Sequence, residues 1–141
     1  MISSESVGWS EAERGITAAV AAAGEKGRRM AFAVVDSHGD LVAAARMDGC
    51  HSRVLKHAIR KAQTAAVYER NTLALKRQMR NSDRELLEWG DLGVTTLQGG
   101  LVVRSQAGVV GGVGVGGSSL DIDEEVARIL VRAMGFEPEE E

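Results

Sequence analysis

The stretch MAFAVVDSHGDLVAAARM, residues 30–47, decides the architecture. Met30 to Val35 is an apolar run of strand length. Asp36-Ser37-His38-Gly39-Asp40 gathers turn-forming residues, and Leu41 to Met47 resumes an apolar run. Two such runs around a glycine-containing turn predict a β-hairpin. Alanine-rich strands have weak intrinsic propensity, so packing must hold these two in place.

Working outward, Asp48-Gly49-Cys50-His51 is a break, and Ser52 is the expected N-cap of a helix running to about Tyr68. Val54, Ala58, Ala62 and Ala65 form a small apolar stripe on it. Arg53, His57, Lys61 and Thr64 form a polar stripe beside the first, because residues three or four apart share a helix face. Upstream, Ser10 and Glu13 make a capping-box pattern before a helix carrying Ala12, Ile16, Ala19, Val20 and Ala23, ended by Gly24 and Gly27. Downstream, Leu73 to Met79 and Leu86 to Trp89 predict one or two short helices with an irregular join. Thr95–Leu97, Leu101–Arg104 and Val109–Val115 are expected strands, separated by Gly99-Gly100 and the Gln106–Gly108 turn. Asp121 and Glu124 repeat the capping-box idea before a last helix, stopped by Gly135. The expected fold is α/β (α+β): a five-stranded, mostly antiparallel sheet with helices packed on it. Residues 1–141 read as one domain, with 1–9 and 136–141 as frayed ends.

A chain of 141 residues buries enough surface to fold without a metal or disulfide staple. The net charge of −3 gives no basic face for a nucleic-acid backbone. Two Trp, one Tyr and two Phe are too few for base-stacking platforms. Cys50, the sole cysteine, fits a reducing compartment. No signal peptide and no apolar run of about 20 residues is visible, so the expectation is a cytoplasmic protein without a membrane partner.

The ordered motifs resemble those of the GlcG/HbpS-like family, which includes the C-terminal domain of PduO-type proteins. The carriers are Val34-Val35-Asp36, Gly39, Arg46-Met47-Asp48-Gly49 and Lys61-Ala62-Gln63-Thr64-Ala65. Gly99-Gly100, Gly114-Val115-Gly116-Gly117 and Asp121-Ile122-Asp123 follow in order. The match spans roughly residues 10–135. It implies a profilin- or PAS-like sandwich, homo-oligomeric assembly, and binding of haem or another small molecule in storage or degradation roles. Two departures stand out. Leu101 and Val102 replace a proline that often follows the first glycine pair, and Gly116 stands where a serine commonly precedes the last.

Within that frame His57 is the expected iron ligand or proton-transfer residue, since a neutral imidazole does either. Arg53 and Lys61, one turn away on each side, disfavour its charged form. Arg46 and Lys61 are expected to hold a carboxylate, with Asp48 orienting them or moving protons. The other reading is an internal salt bridge that fixes the hairpin to the helix. His51 is a ligand candidate or a helix-cap residue. Gly116, Gly117 and Ser118 precede the last helix, whose backbone N–H groups suit an anion, whereas Gly111 and Gly112 suggest close packing. No P-loop, dinucleotide fingerprint or His-Glu-x-x-His motif occurs. Two functions stay open: a haem- or tetrapyrrole-binding protein, or a cofactor-independent lyase, isomerase or hydrolase acting on a small organic acid.

Overall fold

The computed structural model describes residues 5–140. Helix α1 is Trp9–Glu25, strands β1 and β2 are Ala31–Asp36 and Leu41–Arg46, and helices α2 and α3 are Ser52–Val67 and Thr72–Asn81. A 3-10 turn at Leu86–Trp89 precedes strands β3, Gly100–Ser105, and β4, Gly108–Gly116. Helix α4, Leu120–Ala133, closes the order. The result is an α+β fold with a four-stranded antiparallel sheet in the order β2-β1-β4-β3.

The fifth strand expected at Thr95–Leu97 does not form. Two side chains capture the backbone donors that a strand would use: Thr64 Oγ1 accepts the Thr95 N–H at 3.1 Å, and Thr95 Oγ1 accepts the Leu97 N–H at 3.2 Å. Such local bonds compete with a sheet ladder. The helix starts also differ from expectation. Gly8, not Ser10, caps α1, with Glu11 Oε1 accepting the Gly8 N–H at 3.0 Å. Ser119 caps α4 by accepting the Ile122 N–H at 3.3 Å, so Asp121 and Glu124 form no capping box.

Strand alternation sorts the core into two layers. Met30, Phe32, Val34, Leu101, Val103, Val113 and Val115 face α1 and α4, where they meet Ala12, Ala19, Val126 and Leu130. Phe32 is fully buried, which contributes about 1.5–3 kcal/mol. On the opposite face Ala31, Ala33 and Val35 meet Ala58, Ala62 and Ala66 of α2. That face is tightly packed because β4 presents glycines to the helix. A Cβ on Gly114 would overlap the Ala58 carbonyl oxygen, and one on Gly112 the Ala62 carbonyl oxygen. The close-packing reading given to Gly112 therefore applies against α2, and Gly111 packs under Val7.

The two sheet edges are unlike. On β3, Thr72 Oγ1 accepts the Gly100 N–H at 3.1 Å and Asn71 Oδ1 accepts the Val102 N–H at 3.0 Å. Both side chains are buried. On β2, the Met47 N–H bonds Met30 O at 3.0 Å. The alternation of an antiparallel ladder then turns the main-chain groups of Ala44 and Arg46 outward.

Of the ends expected to fray, the described parts are tied down. The Val7 N–H bonds Val110 O at 2.9 Å, and Glu139 accepts from Asn71 Nδ2 and Arg104 Nε, each at 2.8 Å. Residues 1–4 and 141 lie outside the described residues. No helix among the described residues is long and apolar enough to cross a membrane.

Candidate functional site

The sequence places Arg46, Asp48, His57, Lys61 and Gly116–Ser118 around one pocket. The structure divides them among separate places.

The first is a buried ion pair. Lys61 and Asp123 are each 2% exposed, and Lys61 Nζ lies 3.2 Å from Asp123 Oδ2. Lys61 also donates to Val115 O at 2.8 Å, and Asp123 Oδ1 accepts the Ser118 N–H at 3.0 Å. Lys61 thus ties α2 to β4 and α4. Burial pushes the Lys61 ammonium down from its ordinary pKa, against the pull of Asp123. Burial likewise pushes the Asp123 carboxyl up, opposed by Lys61 and the Ser118 N–H. The internal-salt-bridge reading of Lys61 is correct in kind but not in partner, which is Asp123 rather than Asp48.

The same pair engages the anion position expected at the start of α4. Asp123 already takes the Ser118 N–H. Gly116 is walled by Val54 and lies beside Lys61 Nζ, and Gly117, at φ +116°, runs against Arg29 O and Met30 Cα.

His57 sits half-buried on α2, one turn before Lys61, while Arg53 is exposed. The polar stripe is thus split: Lys61 and Thr64 are inside, Arg53 is outside. His51 is the N-cap of α2 in place of Ser52, with its Nδ1 accepting the Arg53 N–H at 3.1 Å. Accepting at Nδ1 places the neutral ring's proton on Nε2, so capping and metal ligation through Nε2 compete. His51→Ala should lower stability by about 1 kcal/mol, and His51→Asn should retain most of it. Urea midpoints of the two variants check this.

The third place is an open groove of about 680 Å³ between the end of α1 and β2, lined by Val20, Gly27, Arg28, Arg29, Ala45, Arg46, Met47 and Asp48. Its volume is that of a small-molecule site. Val20, Ala45 and Met47 supply the apolar wall, packed on the α1–α4 core. Met47 is held by the Met30 N–H, which donates to its Sδ at 3.4 Å. Among the described residues, Arg28, Arg29 and Arg46 have no ion-pair or hydrogen-bond partner for their guanidinium groups. Along β2, Ala45 and Met47 turn to the α1 face, whereas Arg46, paired with Ala31, turns to the α2 face near Cys50, so Arg46 borders the groove from the edge strand with its side chain on the other side of the sheet from the apolar wall. Arg28 and Arg29 were missed in the sequence. Their signal was a basic pair placed directly before β1.

A smaller cleft of about 270 Å³ lies at the hairpin turn, among His38, Asp40, Gln63, Tyr68 and Asp91.

Comparison with known proteins defines the class first. The family model described as haem-degrading protein HbpS-like matches residues 7–132. The chain belongs to that family. Among solved structures, a double mutant of HbpS from Streptomyces reticuli is 31% identical, with a TM-score of 0.87 over 96% of this chain and 91% of that one. The complex of PduOC with haem is 24% identical, with a TM-score of 0.85 over 96% and 99% of the two chains. Klebsiella pneumoniae protein ORFY is 22% identical, with a TM-score of 0.87 over 95% and 94%. The last two likenesses are of fold. No curated protein gives a significant match.

Proposed function

We propose that this chain binds haem or a related tetrapyrrole, for storage or degradation, as a cytoplasmic homo-oligomer. The observation that carries the reading is the groove beside β2, where an apolar wall meets Arg46 and Asp48. The HbpS-like family and the haem complex of a protein with this fold support it. The residues fit the organic part of haem. Val20, Ala45 and Met47 would face the macrocycle, and Arg28 or Arg29 would meet a propionate in a bidentate, charge-assisted contact, with Arg46 at the groove's edge. Bound haem would supply an iron centre for redox chemistry. Within the groove the Met47 sulfur is already engaged by a backbone donor. An iron ligand from His57 would require haem to sit on the α2 side of the sheet instead.

Hemin titration followed in the Soret region tests the function. Saturable binding at one hemin per chain is expected, and its absence overturns the reading. His57→Ala locates the iron. A spectrum unchanged by the substitution is expected for the groove, whereas loss of the Soret shift removes the groove and assigns the iron to α2.

A further inference from the structure

The smaller cleft lies at the opposite end of the hairpin from the groove. Its volume of about 270 Å³ is below the range of about 300–1,000 Å³ that holds drug-sized ligands, so it suits a smaller molecule. Three segments build it: the turn between β1 and β2, the end of α2, and the loop before β3. The turn brings Asp40, the helix Gln63 and Tyr68, and the loop Asp91. With His38 counted neutral, the lining carries a formal charge of −2 and holds no lysine or arginine. Neither carboxylate joins an ion pair among the described residues. Elsewhere Glu88, Asp123, Glu124, Glu125 and Glu139 each meet a cation.

Both carboxylates sit on braced segments. Asp91 Oδ1 accepts the Gly93 N–H at 2.9 Å, and Asp91 Oδ2 accepts the Tyr68 hydroxyl proton at 3.3 Å. Tyr68 is itself braced by stacking on Trp89, with ring centroids 4.9 Å apart. The main chain of Asp40 is fixed on both sides: its N–H donates to Asp36 Oδ1 at 3.0 Å, and its carbonyl accepts the Asp36 N–H at 2.8 Å. Gln63 Nε2 seats the turn on α2 by donating to Gly39 O at 3.4 Å. Acceptors remain on Gln63 Oε1, on the Tyr68 oxygen and on both carboxylates. An ammonium group supplies three donors to such a set and no acceptor. Val67 and Val94 complete the lining and favour a hydrocarbon segment. A single exposed ion pair is weak, but two made by one ligand reinforce each other. We infer that this cleft binds short aliphatic diamines, with one ammonium at Asp40, the other at Asp91 and Tyr68, and the methylenes against Val67 and Val94. The inference does not rest on the haem reading.

The test is an NMR titration of the full chain with 1,4-diaminobutane, with 1-aminobutane and 1,4-butanediol as controls. It is run at about pH 8, where alkylammonium groups are charged and imidazole is ordinarily neutral. The diamine should shift the Val67 and Val94 methyl resonances saturably and leave those of Leu120 and Ile122, beside the acids of α4, unmoved. The monoamine should bind about fivefold more weakly, and the diol should cause no shift. Asp40→Asn and Asp91→Asn should each weaken diamine binding about fivefold. Both positions are exposed, and asparagine at 91 keeps an oxygen for the Gly93 N–H, so unfolding midpoints should show both variants folded. No saturable shift, a diol that binds as the diamine does, shifts spread over the acids of α4, or variants that bind as well as the parent overturn the inference.

Discussion

Lys61→Ala should destabilise the fold by about 3–5 kcal/mol, because removing one member of a buried ion pair leaves the other charged and unpaired. Asp123 would keep only the Ser118 N–H as a partner within the structure. The methylenes of Lys61 also fill space between α2 and β4, which alanine would vacate. The informative companion is the double variant Lys61→Met/Asp123→Asn. It removes both charges, keeps the volume, and leaves an amide oxygen for the Ser118 N–H. It should recover most of the loss, since well-packed neutral replacements of buried pairs are often close to neutral in stability. Urea unfolding midpoints of the three proteins decide the matter. A single variant within about 1 kcal/mol of the parent would show that the pair contributes little.

Gly114→Val should be comparably damaging, at about 3 kcal/mol or more. The atoms around a Cβ at this position are backbone: the Ala58 carbonyl oxygen, Ala62 N at 2.7 Å and Ala58 C at 3.0 Å. No rotamer change relieves such a clash, so α2 must lift from the sheet. Gly112→Val should behave alike, against Ala62 O and Ala66 N. Gly24→Ala is the internal control. A Cβ there meets nothing within 4 Å, and alanine should stabilise α1 by about 0.5–1 kcal/mol. Thermal melts of the three variants should separate by sign.

The hairpin, the four helices and the glycine-rich strand were legible because each follows from local chemistry: a turn cluster between apolar runs, or apolar residues at helical spacing. The alanine stripe of α2 likewise announced its buried face. Thr95–Leu97 misled because strand propensity says nothing about Thr64, whose hydroxyl takes a backbone donor 31 residues away. Lys61 misled for the same reason at longer range. At helical spacing Lys61 reads as a pocket lysine or as the partner of a hairpin carboxylate, and its actual partner Asp123 is indistinguishable in sequence from the other acids at the start of α4. The candidate site was half legible. Arg46 and Asp48 both border the groove, but alternation along β2 turns Arg46 to the α2 face, away from Ala45 and Met47, and Lys61 is taken up by Asp123.

The two edges of the sheet carry a consequence for assembly. Asn71 and Thr72 act as chain terminators on β3, since a strand arriving there would have to displace hydrogen bonds already made by buried side chains. β2 keeps its outward main-chain groups open. Each copy therefore has a valence of one for edge-to-edge pairing. Were two copies to join their sheets through β2, the joined sheet would end in β3 on both sides. Growth into a filament would be arrested at that first step.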